Sequence, residues 1–118
     1  MKRELIREIE IKYGVRIVQW HFKTCAFSLG RLILLSKIDL KILSCDALRF
    51  TLLHEVGHIN QPIFWTRVPA ERDAEAFAFG IMQQEGHNFE ELLQLVGEFS
   101  IVSKYKCSPE FFREVRRR

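Results

Sequence analysis

Three residues in this sequence have the types and spacing for metal chemistry: His54, Glu55 and His58, in the pattern H-E-x-x-H. They sit in an apolar run that reads as helical from Leu48 to Ile59. On a helix, residues four apart share a face, so the two imidazoles can grip one ion together. Glu55 stands beside the first histidine, where a carboxylate can take a proton from an attacking water. Such a centre needs three protein ligands and one open position, so two histidines leave it one ligand short.

The missing ligand must come from an element that folds back onto this helix. Glu71 and Glu75 are the candidates, one turn apart on the first part of the next helical stretch. The twelve residues between His58 and Glu71 include Pro62 and Pro69, enough chain to reverse direction. One division of labour has Glu71 on the metal and Glu75 accepting a hydrogen bond from the free ring nitrogen of His54 or His58. Spacing alone allows the reverse. Asp73 points away from the face that these two share. The bland reading of the pair is surface helix carboxylates salt-linked to Arg67 or Arg72. With zinc in place, the chemistry would be peptide hydrolysis: the metal activates water and polarises a carbonyl, and Glu55 moves the proton. A second electrophile for the oxyanion could be His21, Arg72, His87 or Tyr105, and the sequence does not choose among them.

The elements around the motif follow from periodicity. Leu5, Ile6, Ile9 and Tyr13 make an amphipathic helix that Gly14 stops. Val15 to Phe22 is rich in β-branched and aromatic residues and reads as a strand covered on both faces. Cys25 to Leu29 and Arg31 to Ser36 read as a hairpin about Gly30. The first of these could pair with an extended peptide by strand addition. Ile38 to Leu43 is open between a loop and a short helical turn. Ser44 or Asp46 caps the motif helix, which Pro62 confines to about Asn60. Phe64 and Trp65 lie in the following loop, where they could wall a cleft or cap the core. Pro69 suits the first turn of a helix over Ala70 to Glu85, with Ala74, Phe77, Ala78, Ile81 and Met82 on its apolar face. Asn88 with Glu91 is a capping-box variant for a helix from Phe89 to Phe99. Ser108 starts a last helix that runs into Arg113, Arg116, Arg117 and Arg118. The expected fold class is α+β in one domain over residues 1–118: an N-terminal helix and a short three-stranded sheet packed on the H-E-x-x-H helix, then two or three further helices.

Bulk properties bound the rest. Hydrophobic residues make up 47% and charged residues 28% of the 118, which suits a single globular core. The net charge of +3 is too weak to argue for nucleic acid, and the terminal arginines have no interleaved aromatics, so direct nucleic-acid binding is not expected. Cys25, Cys45 and Cys107 are odd in number and lack C-x-x-C spacing, which argues for a reducing compartment. Met1 to Glu10 mixes basic and acidic residues with no apolar signal core, and no apolar run has membrane-spanning length. A cytoplasmic protein with no membrane partner is the expectation.

These motifs together resemble a family. Leu48-Arg49-Phe50-Thr51-Leu52-Leu53-His54-Glu55-Val56-Gly57-His58 resembles the R-F-T-L-A-H-E-L-G-H stretch of the ImmA/IrrE metallopeptidases. Glu71-Arg72-Asp73-Ala74-Glu75-Ala76-Phe77-Ala78 is similar to their E-x-E-A-N-x-F-A, and Phe99-Ser100-Ile101-Val102-Ser103 to their F-x-V-S. The resemblance implies zinc held by His54, His58 and Glu71, with Glu55 as catalytic base in a gluzincin-like α+β fold. It also implies a site-specific endopeptidase that cleaves a repressor or other regulatory protein. Three features depart from the family: Glu75 stands where it has Asn, Ile81-Met82-Gln83 replaces its L-M-P, and the helix-turn-helix segment of many members has no counterpart. A partner is therefore expected to supply targeting. The other expectation is a non-proteolytic regulator that keeps a metal for stability or binds a partner. Retention of Glu55 favours the enzyme, since a structural site needs no base.

Overall fold

The computed structural model describes residues 2–20, 27–61 and 67–99; side chains at 20, 27–29, 39, 67–72 and 95–99 are outside that description. Among the described residues the chain forms five helices and one three-stranded sheet, an α-rich α+β arrangement.

Helix α1 (Lys2–Tyr13) buries Ile9 completely and lays Leu5, Ile6 and Tyr13 along the same side of the core. It stops at Gly14, whose φ of 64° is left-handed and comfortable only without a Cβ. The amide of Val15 then donates back to the Glu10 carbonyl at 3.2 Å. The Arg31 guanidinium donates to the carbonyls of Tyr13 (2.6 Å) and Gly14 (2.8 Å), tying this helix end to the hairpin turn.

Strands β1 (Arg16–Trp20), β2 (Phe27–Leu29) and β3 (Leu32–Ser36) lie in the order β1-β3-β2. The expected hairpin is present: β2 pairs antiparallel with β3, Leu29 opposite Leu32, around a two-residue turn in which Gly30 takes φ 61°. β1 pairs with β3 in parallel, from Arg16 opposite Leu32 to Trp20 opposite Ser36. β1 is thus an edge strand among the described residues. Ile17 and Val18 are only half-buried, so the expected cover on both faces is incomplete. Ile33 and Leu35 on β3 point into the core and are fully buried.

The ambiguous stretch after β3 is a short helix, α2 (Lys37–Ile42), whose Ile38 amide is capped by the buried Ser36 hydroxyl at 3.2 Å. Ile38 and Ile42 face outward, which removes the amphipathic signal that would have marked it. Helix α3 (Cys45–Ile59) follows, and Ser44 is its N-cap, accepting from the Ala47 amide at 3.1 Å. α3 packs against α1, β2, α4 and α5. Leu48, Leu52, Leu53 and Val56 are buried, Ile59 is partly buried, and Phe50 and Thr51 on its other sides are buried too.

Helix α4 (Arg67–Gln84) begins three residues before the expected Ala70, with Pro69 still in the first turn, where a missing amide hydrogen costs nothing. Ala74, Ala78 and Met82 are fully buried on it. Phe79 is too, meeting Phe89 edge-on at 5.6 Å between centroids. Helix α5 (Phe89–Phe99) carries the expected cap: Asn88 accepts from the Glu91 amide at 2.8 Å and donates to its carboxylate at 3.0 Å. The expected helix from Ser108, the arginine tail, Cys25, Cys107 and the Phe64–Trp65 loop lie outside the described residues. No helix among the described residues is long and apolar enough to cross a membrane.

Candidate metal centre

α3 is buried nearly all round, so its polar residues are polar inside the core. His54 is 2% exposed and Glu55 6% exposed, while His58, one turn on, is half-buried. The two imidazoles meet edge to face with centroids 4.7 Å apart. Their Nε2 atoms converge to 3.0 Å. Two nitrogens on one tetrahedral zinc, each at about 2.0–2.1 Å, stand roughly 3.3 Å apart, so the pair fits a shared ion after a small opening. A Glu55 carboxylate oxygen completes a group whose ligand atoms all lie within 4.8 Å of one another. Nitrogen, nitrogen and carboxylate oxygen suit a borderline divalent ion such as zinc. His54, Glu55 and His58 could therefore hold a metal ion; the spacing points to the two histidines as ligands, with Glu55 beside them as the base.

The second helix is brought in by the smallest residues at the crossing. A Cβ built on Gly57 would stand 3.0 Å from the Ala74 Cα and 3.3 Å from its Cβ and its carbonyl oxygen. α3 and α4 thus touch backbone to backbone between the two helices' polar residues. They run antiparallel, for Arg49 near the start of α3 binds Glu85 just past the end of α4, its Nε 2.8 Å from the carboxylate. Glu75, beside Ala74, is 1% exposed. Glu71 lies one turn before Ala74 on α4; its side chain is outside the described residues.

Among the described residues, the partner of the His58 Nδ1 is not Glu75. It is Gln61, whose Oε1 is 2.9 Å away. The Gln61 amide nitrogen in turn donates to Asp73 Oδ2 on α4, at 3.3 Å. Sequence reasoning missed both residues. Gln61 could have been found, because it follows His58 by three and so stays near its face as the helix ends. Asp73 was set aside for lying off the face shared by Glu71 and Glu75, and that same offset turns it toward Gln61.

Of the proposed oxyanion partners, His87 is described and is remote. It follows the C-terminal end of α4, roughly 15 Å along the helix axis from Ala74, with its ring 3.4 Å from the Glu91 carboxylate. His21, Tyr105 and the Arg72 side chain lie outside the described residues. The chain matches no family model, no curated protein and no solved structure, and the centre stands on its own geometry.

Proposed function

We propose that the protein is a zinc-dependent endopeptidase with a narrow protein substrate, of the ImmA/IrrE kind, cutting a repressor or similar regulatory protein. One observation carries this reading: two converging imidazole nitrogens share a group with the carboxylate of the residue between them. With a third ligand drawn from α4, that carboxylate is left to move the proton of an attacking water and need not bind the metal.

When bound, the metal would lower the pKa of a water and polarise the scissile carbonyl. His54 and His58 would hold it through Nε2. The third ligand would be a carboxylate of α4. The family resemblance implies Glu71, while burial at the helix crossing favours Glu75. Metal affinity of Glu71→Gln against Glu75→Gln decides between them. Glu55 takes the proton of the attacking water and delivers it to the leaving amine. Its surroundings exclude most other water, which strengthens each electrostatic contact there. The substrate would be presented by β2, whose far edge has no partner strand among the described residues and which packs against α3. An extended peptide added to that edge runs beside the metal helix.

The non-proteolytic alternative draws on the same burial, since a closed centre suits a structural metal. Glu55→Gln separates the two. Zinc-loaded protein, incubated with host lysate, should generate new protein N-termini, and the variant should keep the metal and generate none. Equal patterns from the two proteins would refute the peptidase reading. A zinc site itself fails if fresh protein carries no stoichiometric metal and takes none up on reconstitution.

A further inference from the structure

The ring of His58 is held in one tautomer by a chain of groups that ends on the other helix. A carboxylate at neutral pH offers only acceptors, so the atom that Gln61 turns toward Asp73 must be its amide nitrogen. The Gln61 oxygen is then committed to the opposite side, where it lies 2.9 Å from the His58 Nδ1. An oxygen cannot donate, so Nδ1 must carry the hydrogen. The Nε2 of His58 is left with a bare lone pair directed at the His54 Nε2, 3.0 Å away.

From this we infer that Gln61 is a positioning residue for the metal centre: anchored by Asp73, it presets His58 as the Nδ1–H tautomer, with Nε2 ready to ligate. The inference rests on the metal-site reading above and adds to it an asymmetry between the two histidines. His58 is ready before the ion arrives. His54 supplies the hydrogen shared between the two Nε2 atoms in the metal-free protein, so it is the ligand that must rearrange. The same chain ties the residue just past the end of α3 to Asp73 on α4.

Two measurements test this on the full chain. In metal-free protein, nitrogen NMR of the imidazoles should report His58 protonated at Nδ1 and bare at Nε2; the opposite tautomer would overturn the inference. Zinc affinity, read by competition with a chromophoric chelator, should fall on the order of 10- to 100-fold in Gln61→Leu, which lacks the acceptor. Gln61→Glu paired with Asp73→Asn restores both an acceptor for Nδ1–H and a donor–acceptor link to α4, and should stay within about threefold of wild type, a rescue that a loss of mere packing would not show. His58→Ala is the control. If it abolishes zinc binding while Gln61→Leu binds like wild type, the positioning role fails and the metal site stands. If wild type takes up no zinc, or His58→Ala binds as well as wild type, the metal site fails and the role of Gln61 falls with it.

Discussion

Gly57→Ala should destabilise the protein, although replacing glycine by alanine in a helix normally does the reverse. The intrinsic gain is about 1 kcal/mol. Against it stands a new methyl 3.0 Å from the Ala74 Cα and 3.3 Å from its carbonyl oxygen. Both are backbone atoms and cannot rotate away, so α3 and α4 must separate, at an overpacking cost of about 1–3 kcal/mol. The net effect is a loss of up to about 2 kcal/mol. Gly80 provides an internal control, because it too is helical and a Cβ there meets nothing within 4 Å. Gly80→Ala should therefore stabilise by roughly 0.5–1 kcal/mol. The assay is thermal unfolding of both variants with a chelator present, so that metal binding does not contribute. Thermal midpoints should move in opposite directions, by about 4–8 °C per kcal/mol in a domain near this size. If Gly57→Ala stabilises as much as Gly80→Ala, the helices are not in backbone contact at Gly57. The placement of α4 against the metal helix would then be wrong.

Ser44→Ala should lower stability by about 1 kcal/mol through loss of the α3 cap, measured by the same unfolding assay; an unchanged midpoint would show that Asp46 or water replaces it. Acid should weaken the protein through Glu85. The hydrogen bond from the Arg49 guanidinium holds its carboxyl below the usual 4.5, against an opposing effect of burial. A carboxylate whose folded pKa is depressed contributes stability above its unfolded value and loses it as pH falls through the folded one. Glu85→Gln should therefore cost about 0.5–1 kcal/mol at neutral pH, the contact being screened by solvent, and flatten the decline below about pH 4.5. An acid limb identical to wild type would place the sensitivity elsewhere. Glu8, the other Arg49 partner, has a side chain 55% exposed and should contribute little.

What the sequence made legible was local. The i, i+4 spacing of His54 and His58, the Ser44 cap, the Gly30 hairpin and the Asn88–Glu91 box each depend on residues a few positions apart, and each is present. Non-local pairing was not legible. That β1 joins β3 in parallel, leaving β1 at an edge, depends on a crossover that no short-range pattern encodes. α2 stayed open between a loop and a short helical turn because its isoleucines face outward. At the metal centre, helical phase correctly placed the two histidines and Glu55, but it judged Asp73 by its own helix face. The link to Gln61 arises only when the two helices are laid together. The role given to Glu71 rests on a side chain outside the described residues and remains a proposal for mutagenesis.

The close contact of α3 and α4 also bears on when the centre can assemble. His54, Glu55, His58, Gln61, Asp73 and both candidate glutamates fall within residues 54–75. Bringing such near neighbours together closes only a short loop, so little chain entropy opposes it, and the event does not wait for the parallel pairing of β1 with β3. As the chain leaves the ribosome, the helical hairpin is complete once α4 has emerged. An ion captured at that stage would add its binding free energy to a partly folded chain. Metal availability during synthesis, and not only afterward, would then set how much of the protein reaches its folded form.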